Sequence, residues 1–182
     1  LERVRDLMPF ANQRYIRING RNCRNPYFYK ENFRKKVKEL LCDTNEFALI
    51  HGDCTFSNTM VDSDLNIIFL DPRGYFGFQE LYGDEYYDWA KVYYSINGDY
   101  DQFNNKHFEL LIKENEIILN ISTNGWKDLG DYFLSRIKDC NPMKIKFLHA
   151  IIWLSLTTYA WEDYDSICGA FYNGTYLLEE VL

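Results

Sequence analysis

His51-Gly52-Asp53-Cys54-Thr55-Phe56-Ser57-Asn58, with Ile67-Ile68-Phe69-Leu70-Asp71-Pro72-Arg73-Gly74 close behind it, is the most informative stretch of the chain. Two short apolar runs, Met60-Val61 and Ile67 to Leu70, flank the turn-rich Asp62-Ser63-Asp64 and predict a β-hairpin. Pairing Asp62 with Ile67 across the turn Ser63-Asp64-Leu65-Asn66 puts Asn58 opposite Asp71 in antiparallel register. Asp53 lies on the loop entering the hairpin, so two carboxylates and a carboxamide converge at one open end. An all-oxygen set of this kind suits Mg²⁺. Asp and Asn are also ordinary loop caps; the joint spacing of the three is what favours chemistry.

Around this centre the pattern is mixed. Phe33, Val37, Leu40 and Leu41 recur at helical spacing among lysines from Glu31 to about Asp43. Phe47 to Ile50 reads as a strand before the loop. Tyr86, Trp89, Ala90, Tyr93 and Ile96 mark a helix with Asp84 or Asp88 as its acidic cap and Asn97-Gly98 as its stop. Phe108 to Ile112 and Glu116 to Ile121 fit a second hairpin or a helix, the hairpin being preferred. Asn141 and Pro142 open a helix, as cap and first residue, that is apolar nearly all round and so belongs in the core. A last helix is expected from about Ser166 to the C-terminus. The expected fold class is α+β.

Composition narrows the class. With 182 residues, 47% hydrophobic and 26% charged, the chain is long enough to bury a core and is not disordered or fibrous. Residues 1–38 hold eleven Lys and Arg against three acids, a net of +8, leaving −15 on the rest to reach the total of −7. That basic front reads as a solvated face or an interdomain surface; Arg14, Arg17, Arg21 and Arg24 form no nucleic-acid motif, and no nucleic-acid partner is expected. Five cysteines without a Cys-x-x-Cys pair suggest reduced thiols, and no run approaches the about 18 apolar residues a membrane helix needs, so the chain is expected to be cytoplasmic and free of membrane. No linker divides residues 1–182, which are expected to form one domain; the start at Leu1 suggests a piece of a longer protein.

The sequence His51-Gly52-Asp53, Asn58 five positions on, and a strand ending in Asp71 resembles the aminoglycoside phosphotransferase and choline kinase group, whose larger lobe shares the protein-kinase fold. Gly83 to Ala90 is similar to that group's helix-opening segment. The resemblance covers about residues 45–98 and implies the mostly helical C-terminal lobe of a protein-kinase-like fold, with a catalytic-loop hairpin and with ATP and Mg²⁺ as cofactors. It implies that Asp53 is the catalytic residue, holding the acceptor hydroxyl, that Asn58 and Asp71 bind the metal and through it the nucleotide, and that His51 and Asp88 give structural support. The acceptor implied is a small molecule with a hydroxyl (a sugar, amino sugar or amino alcohol, as in surface-polysaccharide metabolism), and Trp161, Glu162, Asp163 and Asp165 combine aromatic faces and carboxylates that would suit its cationic forms. Residues 1–44 lack the Gly-rich loop and strand lysine of an N-terminal lobe, so a missing N-terminal lobe or fused upstream domain is an expected partner. Arg73 replaces the residue often found after the metal Asp; a pairing with Asp84 or Glu85 is preferred for it over a phosphate. The alternative to an enzyme is a catalytically incompetent kinase-like binding or regulatory module.

Overall fold

The computed structural model describes residues 1–42, 47–159 and 163–182. The chain is α+β. A front hairpin of β1 (Tyr15–Ile18) and β2 (Arg21–Arg24) is followed by α1 (Lys30–Leu41). Between residues 47 and 83 come six short strands: β3 (Ala48–Leu49), β4 (Thr59–Val61), β5 (Ile67–Phe69), β6 (Tyr75–Phe76), β7 (Gln79–Glu80) and β8 (Tyr82–Gly83). Then follow α2 (Glu85–Ile96), α3 (Tyr100–Asn104), β9 (Phe108–Ile112), β10 (Ile117–Ile121), α4 (Gly130–Arg136), α5 (Pro142–Leu156) and α6 (Tyr164–Glu179).

The α5 helix is the axis of the molecule. Asn141 caps it, its side chain accepting the Lys144 N–H at 3.2 Å, and Pro142 takes a first-turn position where no N–H is needed. Phe147, Ala150 and Leu154 face a core shared with α6, β1, β2 and β10. Ile145, Leu148, Ile152 and Trp153 face a second core with Ala90, Tyr93 and Tyr94 of α2 and with Phe103. Burial on both sides is why this helix carries almost no polar stripe. The α6 helix crosses close enough that a Cβ on Gly174 would come within 2.8 Å of Leu154 Cγ. It begins at Tyr164, with Asp163 as its cap, two residues earlier than the sequence suggested.

The front of the chain adds to the sequence reading. Arg14, Arg17 and Arg34 are exposed, as a solvated face requires, but the same stretch holds a strand pair that the sequence reading lacked: Ile16, Ile18 and Cys23 are fully buried, and β1 runs parallel to β10 in a four-stranded sheet of order β2-β1-β10-β9. Asn19 and Gly20, both at positive φ, make the tight turn between β1 and β2. The Asn19 side chain continues the parallel pairing, its Nδ2 donating to Leu119 O and its Oδ1 accepting from Leu119 N, each at 2.9 Å. Much of the basic charge is answered within the chain. Arg17 binds Glu116, and Arg21 and Arg24 bind Glu180 and Glu179 at the end of α6, so the basic front clasps the acidic C-terminus. Among the described residues no helix is long and apolar enough to cross a membrane.

Candidate functional site

The loop from His51 to Asn58 has no regular secondary structure beyond one short turn, Phe56–Asn58, so its backbone groups need partners from elsewhere. One face of α2 supplies most of them. Asp84 caps that helix and accepts the Tyr86 N–H. One turn on, the Asp88 carboxylate accepts the His51 N–H at 2.7 Å and the Gly52 N–H at 2.8 Å. Ser95 Oγ accepts the Phe56 N–H at 3.0 Å, and Asp101 of α3 accepts the Ser57 N–H at 2.9 Å. Asp88, Lys91 and Ser95 are spaced i, i+3, i+7 and so share a face. Gly52 has φ +79°, and a Cβ there would lie 2.9 Å from Arg73 Cβ, so the turn requires glycine on both counts. Cys54, next in line, is buried, which pushes its thiol up to about 12 and leaves it inert at neutral pH.

This anchorage fixes Asp53 in a polar triad. Its Oδ1 is ion-paired with Lys91 Nζ at 2.8 Å, and its Oδ2 accepts from Asn58 Nδ2 at 3.1 Å. Asn58 Nδ2 also donates to the Asp53 carbonyl at 2.8 Å. Both amide hydrogens of Asn58 are thereby turned toward Asp53, and its Oδ1 is left as the outward acceptor. Lys91 is well buried and its carboxylate partner half-exposed, so the triad opens to solvent through Asp53.

The hairpin register differs from the expected one by a single residue. Thr59, Met60 and Val61 pair with Phe69, Ile68 and Ile67, and the Asp62 N–H reaches Asn66 O. The turn is Ser63-Asp64-Leu65, with Leu65 at φ +63° and the Asp62 carboxylate gathering the Asp64 and Asn66 N–H groups and the Asn66 amide. Asn58 is therefore opposite Leu70, whose N–H donates to the Asn58 carbonyl at 2.8 Å; the direct Asn58–Asp71 pairing is overturned. The Asp71 side chain makes no hydrogen bond or ion pair to Asp53 or Asn58 among the described residues. Its neighbours on either side are tied to the loop, Leu70 to Asn58 and Arg73 to His51 O at 2.9 Å, and Asp71 sits between them, exposed, at φ +55°. Aspartate is one of the few residues other than glycine that adopt this left-handed conformation readily.

His51 Nδ1 accepts the Asp53 N–H at 3.2 Å, its ring lies against Phe69, and its buried Nε2 has no partner among the described residues. The expected Arg73 pairing with Asp84 or Glu85 does not occur: Asp84 binds Lys144 at 2.7 Å, while the Arg73 guanidinium goes to the hydroxyls of Tyr87 and Tyr159. Trp161 and Glu162 lie outside the described residues. Asp163 is spent on capping α6 and on Lys106 and Ser166, with the Lys106 contact foremost in holding its carboxyl down at about 2. Asp165 is exposed on the first turn of α6. Lys91 went unnoticed in the sequence; the polar stripe Asp88, Lys91, Ser95 on a helix otherwise rich in buried aromatics was its signal.

Among the described residues no three His, Cys, Asp or Glu side chains converge as a metal cage. No protein-family model, no curated protein and no solved structure matches the chain.

Proposed function

We propose that the chain is the helical lobe of a small-molecule kinase of the aminoglycoside phosphotransferase and choline kinase type, transferring the ATP γ-phosphate to a hydroxyl. The observation that carries this reading is the Asp53 triad: a carboxylate fixed by Lys91 and Asn58 and half-exposed, with Asp71 on the segment that Leu70 and Arg73 tie to the same loop. Asp53 takes the proton of the acceptor hydroxyl. The hydroxyl oxygen bonds to the γ-phosphorus while the bond to the β–γ bridging oxygen breaks and ADP leaves. Asn58 Oδ1 and the Asp71 carboxylate are two oxygen donors with no competing partner among the described residues, which suits Mg²⁺, an ion commonly held by one or two protein oxygens plus substrate phosphates. When bound, Mg²⁺ neutralises the phosphate charge that builds up during transfer. Asp88 holds the loop backbone in place, and the carboxylate of Asp53 depends on that placement.

The uncovered apolar side chains between Phe47 and Tyr82 support a further lobe or fused domain lying over the hairpins. A second reading, a kinase-like module without turnover, is favoured by one observation: both Asp53 oxygens are already engaged within the chain. Incubating the intact protein with labelled ATP, Mg²⁺ and a panel of neutral sugars, amino sugars, amino alcohols, sugar phosphates and sugar acids decides between them. Transfer that Asp53→Asn reduces by about 10²–10⁴-fold supports the kinase. Asp71→Asn should also weaken Mg²⁺-dependent nucleotide binding, whereas Asp53→Asn should spare it. Wild-type turnover in Asp53→Asn refutes the mechanism, and silence across the panel favours the module.

A further inference from the structure

Beside this triad Arg73 carries a charge that no carboxylate of the described residues answers. Its N–H is bonded to His51 O and its stem is packed on Gly52, the residue just before Asp53. Its guanidinium is aimed by hydroxyls and an aromatic face: Nη1 donates to Tyr87 Oη at 3.0 Å, Nη2 donates to Tyr159 Oη at 3.2 Å, and Cζ stands 4.8 Å from the centre of the Tyr75 ring. Tyrosines orient a guanidinium without neutralising it. A half-buried arginine fixed in this way keeps donors of its five-hydrogen fork for a planar or tetrahedral anion. Tyr87 immediately precedes Asp88, whose carboxylate holds the His51 and Gly52 N–H groups of the loop that carries Asp53. Arg73 is steadied by Tyr87 of α2 and by Tyr159 just past the end of α5.

Resting on the phosphotransferase reading, we propose that Arg73 is the specificity-determining residue of the acceptor site and binds a phosphate or carboxylate there, so that the hydroxyl presented to Asp53 belongs to an anionic small molecule. The nucleotide's own phosphates are the competing source of the same chemistry. The test is calorimetric titration of the intact protein with inorganic phosphate and with acetate at constant ionic strength, with and without a saturating non-hydrolysable ATP analogue and Mg²⁺. Saturable phosphate or acetate binding is expected, at least ten-fold weaker in Arg73→Gln, intermediate in Arg73→Lys (which keeps the stem on Gly52 and the charge) and unchanged in the distant Lys127→Gln. It should persist when the analogue is bound. Binding indifferent to both Arg73 substitutions, or displaced by the analogue, overturns the acceptor assignment. Failure of the analogue to bind, or absence of any transfer alongside intact Arg73-dependent anion binding, instead counts against the phosphotransferase reading and leaves the anion site standing.

Discussion

The α5 helix and the β4–β5 hairpin of this protein are built on opposite terms. Along α5, Ile145, Phe147, Ala150, Ile152, Trp153 and Leu154 are buried almost completely between two cores. Along β4 and β5, every residue from Met60 to Leu70 except Asp62 is exposed, and Leu49, Phe78, Leu81 and Tyr82 add to the same uncovered apolar surface. An isolated two-stranded hairpin is at best marginal in water. What orders this one is a set of polar hooks from α2 and α3: Asp88, Lys91, Ser95 and Asp101. The candidate chemistry sits at that seam, where a rigid helix face holds a loop that has little packing of its own. Function is often drawn from such low-stability segments.

Matched truncations are the strongest way to break this comparison. Trp153→Ala removes a fully buried side chain packed on Tyr94 and Phe103, and its indole N–H donor to His149; it should cost about 3–5 kcal/mol in denaturant unfolding. Phe69→Ala, at an exposed hairpin position, should cost less than about 1 kcal/mol. Equal losses would mean that the hairpin is part of the core's cooperative unit.

Asp88→Ala acts on the seam itself. It strands the His51 and Gly52 N–H groups, for about 2–3 kcal/mol. Hydrogen exchange should show faster exchange across residues 51–58 with α5 protected as before; uniform loss through α5 would show the hooks to be ordinary core contacts.

The core also contains a buried titratable group. His149 is buried, and burial together with the Lys127 charge pushes its imidazole down to about 3 while its Nε2 accepts the Trp153 indole N–H at 3.0 Å. The unfolded chain therefore binds a proton near pH 6.5 that the folded chain refuses, so stability is full above that value and falls as pH drops toward 3. From this group alone the loss by pH 5 should be about 2 kcal/mol. His149→Gln, which can still accept from Trp153, should flatten the slope between pH 7 and 5; an unchanged slope would assign it to other groups.

How much of this was legible in the sequence depends on where the information lies. The cap Asn141 and the two-sided apolar pattern of α5 are local and were read correctly, and Asp84 was one of the two caps expected for α2. The strand pair β1–β2 was missed although Asn19-Gly20 lies between Ile16, Ile18 and Cys23, because Arg17, Arg21 and Arg24 alternate with the apolar residues and give the stretch the look of a charge run. The parallel union of β1 with β10 joins residues nearly a hundred positions apart and leaves no local mark. At the site, Asp53, Asn58 and Asp71 were proposed from their spacing, but the register slipped by one. A three-residue turn is announced by glycine at its left-handed position, and here that position is leucine.

That leucine gives the smallest and most discriminating test. Leu65 holds φ +63° with 81% of its surface exposed, so it bears the steric cost of the left-handed region and contributes no packing in return. Leu65→Gly removes the strain but loosens the unfolded chain, and the two effects should leave a net gain of about 0.5–1 kcal/mol. Where that gain appears decides the matter. If the hairpin opens on its own, the amides of Val61 and Ile67 should exchange several-fold more slowly while the melting temperature of the whole protein stays put. If the hairpin unfolds only with α5 and α6, the same substitution should raise the global melting temperature by a few degrees and leave the ratio of hairpin to core protection unchanged. The first result is expected, because Asp88 and its neighbours hook the loop by its polar groups and leave the hairpin's apolar side chains uncovered.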